Sequence, residues 1–158
     1  MRLVRPPKKP KAVEKPKPVK IPKWQDDSII DGAKPLSWRF SHRDPGGPFG
    51  WQDITSEDLH GVITRFAEFE GMNWDQIKVA GSHPIECARF CDAARARLVE
   101  IGHDDLDEMM SFRVMGAWRV WCVHDGSIMR VLWWDPDHQV YPTPVDKADR
   151  QKHSGRKK

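Results

Sequence analysis

The chain has 158 residues, of which 39% are apolar and 31% are charged, and this length is typical of a single domain. No stretch approaches the run of about 20 apolar residues that a membrane-spanning helix needs. The first residues are basic and rich in proline, so we expect no secretory signal and no membrane partner. Three cysteines, an odd number, argue against a disulfide framework and favour the reducing environment of the cytoplasm.

The charge is divided between two basic ends and an acidic middle. Residues 1–23 carry nine Lys or Arg and one Glu, a net charge of +8, and residues 146–158 carry a net charge of +4. Residues 24–145 carry 11 basic and 20 acidic side chains, a net charge of −9. Because residues 1–23 hold six prolines and little apolar surface, we predict a disordered basic tail there, and a second one at residues 146–158. A single α+β domain is predicted for residues 24–145.

The first predicted elements are a strand and a helix. Residues 36–41 alternate between apolar and polar side chains, which predicts a half-buried strand. A helix is predicted to begin at Thr55 or Ser56, since either hydroxyl caps a first turn, and to end at Gly71. Its apolar residues recur at helical spacing: Leu59, Val62, Ile63, Phe66 and Phe69. A short extra turn is predicted at residues 74–77.

A second helix is predicted to begin with Pro84 in its first turn and to end at Gly102. Apolar side chains recur there at steps of four and three: Cys87, Cys91, Ala94, Leu98 and Ile101. The spacing of His83, Cys87 and Cys91 raises the alternative of a zinc site. The first and last of these residues lie about 12 Å apart along a helix, which is too far to bind one ion. We therefore predict that both cysteines pack in the core and that there is no metal site.

Three strands and two tight turns are predicted in the last third of the chain. Gly116-Ala117 suits a type II′ turn and Asp125-Gly126 a type I′ turn, each between two runs of apolar residues. A further turn at residues 135–137 precedes a short optional edge strand. The strands cover residues 110–114, 118–124 and 127–134, with 139–141 as the optional fourth. The predicted element order is therefore β-α-α-β-β-β, with room for a last β.

This order and one stretch of the sequence resemble the RelE/ParE-like toxin superfamily. The stretch comprises F-R-V at residues 112–114, G-A-W-R-V-W at 116–121 and I-M-R-V-L at 128–132, followed by His138 and Tyr141. The resemblance implies an α+β fold in which a curled antiparallel sheet packs on two helices. It covers residues 36–142 as an architecture and residues 112–141 as a motif.

In ribonucleolytic members of that superfamily, arginines on the sheet stabilise the transition state of phosphate transfer, and a Tyr, His or Glu moves protons. The ribose 2′-hydroxyl is the nucleophile, so the resemblance implies neither a metal nor another cofactor. Carried over to this chain, Arg119 contacts the phosphate, and His138 and Tyr141 are the catalytic proton-transfer residues. Arg113 and Arg130 bind substrate beside Arg119 if they share its face. Alternatively, the three arginines pair with carboxylates across the sheet.

Trp133 and Trp134 are consecutive in a predicted strand, so their indoles point to opposite faces of the sheet. One indole is predicted to lie in the core. The other, assigned to Trp134, is a candidate substrate-binding platform for a base, or an anchor for a protein partner. Burial of both indoles is the alternative.

The resemblance implies a bacterial or phage toxin that inhibits growth by cleaving RNA, free or on the ribosome, and whose partner is a cognate antitoxin protein. Another branch of the superfamily poisons gyrase by binding and has no catalytic residues. The alternative for this chain is a non-catalytic inhibitor of a replication or translation protein, with the basic tails steering association rather than only adding solubility. A third hypothesis is a nucleic-acid-binding module that acts through its tails. The net charge of −9 on residues 24–145 opposes RNA binding unless the tails compensate.

Overall fold

The computed structural model describes residues 35–143. The predicted tails at residues 1–23 and 146–158 lie outside the described residues, as do both ends of the predicted domain at residues 24–145. Within the described part, three helices and a five-stranded sheet confirm the α+β class. None of these described helices is long and apolar enough to span a membrane.

The sheet is open and mixed. Its strands are β1 Ser37–Arg39, β2 His83–Glu86, β3 Glu108–Met115, β4 Trp118–Asp125 and β5 Ile128–Asp135. Their order across the sheet is β1-β5-β4-β3-β2, and the pairs β2–β3, β3–β4 and β4–β5 are antiparallel. β1 pairs parallel with β5, whereas the resemblance implied an antiparallel sheet. A parallel pair needs a long connection, and the segment that separates β1 from β5, with all three helices in it, provides one.

The helices are α1 Ser56–Glu70, α2 Trp74–Val79 and α3 Asp92–Glu100. α1 lies where the sequence predicts it, because the side chain of Thr55 accepts a hydrogen bond from the N–H of Asp58 at 3.1 Å, and Gly71 follows the last turn. α2 is the predicted extra turn. It begins with a capping box in which Asn73 and Gln76 each bond the backbone of the other.

The predicted second helix is wrong over its first half. Pro84 and its neighbours form β2, and a 3-10 turn at Cys87–Arg89 separates β2 from α3. β2 is an edge strand, where a proline without an N–H is tolerated, and it buries Ile85. The apolar steps of four and three are helical only beyond Cys91, whose N–H bonds the carbonyl of Val140 at 2.8 Å.

Two local predictions in the last third also need correction. Both hairpin turns begin with a glycine of positive φ, Gly116 at 50° and Gly126 at 60°, as type II′ turns do. The predicted type I′ turn places Asp125 and Gly126 at its two central positions. It is wrong, because Asp125 is still part of β4. Residues 139–141 form no strand, because the N–H of Val140 bonds a carboxylate rather than a neighbouring strand.

Each face of the sheet carries its own hydrophobic core, because consecutive residues of a strand point to opposite faces. The α1 face packs against α1 and α2, and the largest strand residues in its core are Phe112, Met129 and Trp134. The α3 face packs against α3 and the 3-10 turn, and the largest strand residues in its core are Met109, Trp121 and Trp133. Helices therefore cover both faces. The two consecutive tryptophans at the end of β5 take opposite faces, as predicted.

A buried carboxylate ties α3 to the sheet. Asp44, which is 2% exposed, accepts two hydrogen bonds from Arg97 of α3, from Nε at 2.9 Å and from Nη2 at 2.7 Å. It also accepts one from Nε1 of Trp133 on β5 at 3.0 Å and one from the N–H of Gly46 at 3.2 Å. Burial by itself raises the pKa of Asp44, but these hydrogen bonds outweigh it, so the pKa lies below its ordinary value of 3.8.

We expect Asp44→Asn to lower the free energy of unfolding by about 3 kcal/mol at neutral pH, because Arg97 loses its buried partner. A carboxylate whose pKa is lowered on folding stabilises the fold above its unfolded pKa of 3.8, and this effect disappears as the pH falls through the folded pKa. The difference between wild type and variant should therefore shrink below pH 3.8. Chemical denaturation over a pH series measures it, with the exposed Asp105→Asn as the control. A difference that stays constant with pH would contradict the prediction.

Candidate functional site

Three charged residues form a row across one end of the sheet. Arg113 on β3 is the register partner of Arg119 on β4, and Arg119 is the register partner of Asp135 on β5. All three side chains lie on the α3 face, because the residues next to them in each strand belong to the core of the α1 face. Neighbouring strands are about 4.8 Å apart, so the Cα atoms of this charged row lie within about 10 Å of one another.

Arg119 is held at the turn between β3 and β4. Its Nη1 donates to the carbonyl of Gly116 at 2.8 Å and to the carbonyl of Trp118 at 3.1 Å. The side chain is half-buried. These bonds hold the guanidinium at the turn between β3 and β4, at the end of the sheet that carries the charged row.

Arg113 is the exposed member of the charged row. Its side chain lies over Gly81, since a Cβ at position 81 would be 3.0 Å from Cδ of Arg113. The φ of Gly81 is 91°, a conformation that favours glycine. Its backbone N–H donates to Oγ of Ser82 at 2.9 Å. Within residues 35–143, its guanidinium has no hydrogen-bond or ion-pair partner. Like charges directly opposite on neighbouring strands repel, and an anion bound to Arg113 and Arg119 together removes that repulsion.

Asp135 is the last member of the charged row, and its hydrogen bonds determine the path of the segment that follows β5. It is 1% exposed, and its carboxylate accepts hydrogen bonds from Nε1 of Trp121 at 3.2 Å and from the N–H groups of Gln139 at 2.7 Å and Val140 at 3.0 Å. These bonds fold residues 136–140 back over the α3 face. Burial raises the pKa of Asp135 above its ordinary value of 3.8, and the hydrogen bonds only partly offset this effect.

The folded-back segment brings His138 to the charged row. Among residues 35–143 it is the one non-glycine residue with a positive φ, 54°. Its side chain is 7% exposed, and it lies close enough to Asp135 for its charge to lower the pKa of that carboxyl. Because Asp135 is the register partner of Arg119, His138 lies near the same end of the sheet as Arg119.

The other predicted proton-transfer residue, Tyr141, is engaged by Arg89. Nη2 of Arg89 donates to the Tyr141 hydroxyl, and the guanidinium carbon lies 5.0 Å from the centre of the ring. Arg89 belongs to the 3-10 turn that precedes α3. The arginine that bonds the Tyr141 hydroxyl is therefore Arg89 and not Arg119.

Arg130 lies on the α3 face but at the opposite end of β5 from the charged row. Its register partner is Val123, four residues along β4 from Arg119, which corresponds to about 13 Å. Its Nη2 forms an ion pair with Asp125 at 2.9 Å. Arg130 thus follows the alternative prediction, in which an arginine pairs with a carboxylate.

The indole of Trp134 lies in the core of the α1 face and is 5% exposed. Its ring centre is 6.0 Å from that of Trp51 and 5.3 Å from that of Trp118. The neighbouring Trp133 is buried on the α3 face, where its Nε1 bonds Asp44. Both indoles are therefore buried, and Trp134 has no open face on which a base can stack.

The surroundings of the charged row are acidic. Residues 35–143 carry ten basic and 17 acidic side chains, a net charge of −7. An open cleft of about 370 Å³ adjoins the row at Asp135, and its lining contains no Lys or Arg. It contains three further carboxylates, those of Asp53, Asp58 and Asp137. Such a cleft repels phosphate groups, so the candidates for binding an anion at this end of the sheet are Arg113 and Arg119.

Asp135 is a site residue that the sequence analysis predicted only as part of a turn. An aspartate before a proline is an ordinary turn signal, and nothing local indicates that its carboxylate is buried. Within residues 35–143, no three His, Cys, Asp or Glu side chains are arranged to hold a metal ion.

Comparison with protein-family models, with curated protein sequences and with solved structures finds no match. The function is therefore inferred from the geometry of the charged row, together with the resemblance of residues 112–141 described above.

We expect Asp135→Asn to show the opposite pH dependence to Asp44→Asn. A carboxyl group whose pKa is raised on folding contributes stability below its unfolded pKa of 3.8 and loses it as the pH rises through the folded pKa. The free energy of unfolding of wild type, relative to that of Asp135→Asn, should therefore fall as the pH rises above 3.8. Denaturation of both variants in one pH series measures the two trends together. A wild-type advantage over Asp135→Asn that grows with pH would contradict the prediction.

Proposed function

We propose that the protein is a RelE-like toxin of a bacterial or phage toxin–antitoxin system, which inhibits growth by cleaving RNA without a metal ion. The observation that carries the proposal is the pair of arginines, Arg113 and Arg119, which face each other on β3 and β4 at the same end of the sheet as His138. Residues directly opposite on an antiparallel pair lie about 5 Å apart, so the two guanidinium groups can turn toward one phosphate, whose oxygens then accept hydrogen bonds from both. The resemblance of residues 112–141 to the superfamily supports the same function.

The reaction needs charge stabilisation and the transfer of two protons. The ribose 2′-oxygen bonds the phosphorus, the bond from phosphorus to the 5′-oxygen breaks, and the products are a 2′,3′-cyclic phosphate and a 5′-hydroxyl. Arg113 and Arg119 stabilise the negative charge that develops on the phosphate oxygens. We assign His138, beside the buried Asp135, to the proton that the leaving 5′-oxygen takes. Tyr141, engaged by Arg89, is given no step.

The basic tails supply the attraction to RNA that the described domain lacks. Residues 1–23 and 146–158 carry net charges of +8 and +4, against −7 for residues 35–143. Attraction to phosphate does not depend on sequence, so the tails raise the local concentration of RNA around the protein. The partner in the cytoplasm is a cognate antitoxin protein that covers this row, and the substrate is RNA, free or on the ribosome.

A non-catalytic inhibitor of a replication or translation protein is the second candidate. It is favoured by the low exposure of His138, 7%, and by the net charge of −7 on residues 35–143. In this case the exposed Arg113 contacts an acidic surface of the target, and the tails steer association.

We expect Arg119→Ala to lower the rate of RNA cleavage by about 10²- to 10³-fold, because the transition state loses one of its charge-stabilising donors. Arg113→Ala should lower it in the same range. The assay uses the purified full-length chain, an end-labelled single-stranded RNA of mixed sequence, and EDTA throughout. Arg95→Ala is the matched control, since this exposed arginine of α3 pairs with Asp92 outside the charged row.

The same variants separate the two candidates when they are expressed in bacteria. Growth inhibition that requires Arg119 and accompanies RNA cleavage supports the ribonuclease. Growth inhibition without cleavage, undiminished in Arg119→Ala, supports the non-catalytic inhibitor and overturns the ribonuclease. Cleavage that proceeds equally well in wild type and Arg119→Ala would also overturn the proposed site.

A further inference from the structure

A second imidazole lies beside the charged row. His83 begins β2 and is the register partner of Ser111 on β3. Ile85, two residues further along β2, is buried in the core of the α3 face, so the alternation of a strand places His83 on that face too. Arg113 lies two residues beyond Ser111, also on the α3 face. His83 and Arg113 are therefore diagonal neighbours across the β2–β3 pair.

The distance and the exposure of these two residues suit a shared ligand. Diagonal neighbours across an antiparallel pair lie about 7–8 Å apart, and both side chains are exposed. The Arg113 side chain leans toward β2, because its Nη1 lies 3.4 Å from where a Cβ of residue 81 would be. Gly81 is two residues before His83, so its missing side chain leaves room for the guanidinium on the side of β3 that faces β2.

Cleavage moves two protons, and the residues predicted from the sequence do not provide two exposed groups. His138 is 7% exposed, and the Tyr141 hydroxyl accepts a hydrogen bond from Arg89. His83 is exposed, and its imidazole has no hydrogen-bond or ion-pair partner within residues 35–143. An exposed, unengaged imidazole beside a phosphate-binding arginine is suited to general base catalysis.

We propose that His83 is the general base of the reaction, an inference that rests on the proposed ribonuclease function. Its imidazole accepts the proton of the 2′-hydroxyl as the 2′-oxygen bonds the phosphorus. As the bond to the 5′-oxygen breaks, that oxygen takes a proton from His138. His83 then releases a proton to solvent and His138 takes one up, so the enzyme returns to its starting state. In strand order from β2 to β5, the base comes first, the two arginines follow, and His138 stands at the far side.

The test measures RNA cleavage by the full-length chain with His83→Ala and His83→Asn. We expect each variant to lose about 10²-fold in rate, the range typical of general base catalysis. The pH profile of cleavage should differ between wild type and both variants, because the variants lack the group that takes the proton of the 2′-hydroxyl. Added imidazole should restore part of the rate of His83→Ala but none of the rate of Arg119→Ala. His60→Ala, an exposed histidine on α1, is the matched control and should leave the rate unchanged.

The outcomes distinguish the inference from the function on which it rests. Cleavage that depends on Arg119 but is unchanged by His83→Ala and His83→Asn would overturn the role of His83 and leave the ribonuclease intact. A loss of rate with an unaltered pH profile and no rescue by imidazole would also overturn it, because that pattern indicates a structural effect. If wild type does not cleave RNA at all, both proposals fail. Thermal unfolding of the His83 variants should match wild type, since the side chain is exposed on an edge strand.

Discussion

The arrangement of the α3 face depends on the buried carboxylate of Asp44. A charge that is removed from water is stable only if hydrogen bonds and an opposite charge replace the solvent, and Asp44 receives both from Arg97. Because Arg97 belongs to α3, and because Trp133 of β5 donates to the same carboxylate, satisfying one side chain fixes the helix over the sheet. The helix then covers part of the α3 face, the face of the sheet on which the charged row also lies.

Asp135 is also a buried carboxylate that accepts hydrogen bonds, but its donors differ from those of Asp44 and its pKa shifts in the opposite direction. Its donors are the neutral groups of Trp121, Gln139 and Val140, so burial dominates its pKa, whereas Arg97 reverses that effect at Asp44. The carboxylate does not hold a helix in place. It folds back the segment after β5, and this brings an imidazole next to two arginines that adjacent strands had already placed side by side.

Local signals in the sequence predict much of this fold, and tertiary contacts decide the rest. The cap at Thr55 defines α1, and the glycine at 116 defines a turn that places Arg113 and Arg119 on one face. β2 was not predictable, because Pro84 suits the start of a helix as well as an edge strand, and only pairing with β3 decides between them. The position of His138 depends on bonds from the following backbone to a buried carboxylate, which no periodicity reveals. The burial of Trp134 and the engagement of Tyr141 likewise depend on residues distant in sequence.

The parallel pairing of β1 has a consequence for how the chain folds during synthesis. Ser37 pairs with Ile128, so β1 leaves the ribosome long before its partner strand, whereas β3, β4 and β5 form from consecutive hairpins. Trp38 stacks on Phe66 of α1, with ring centres 3.8 Å apart. The strand residues that complete the core around Trp38 are in place only after the sheet has formed. Until β5 has been made, the nascent chain keeps an aromatic surface open to water, the kind of surface that aggregates or attracts a chaperone.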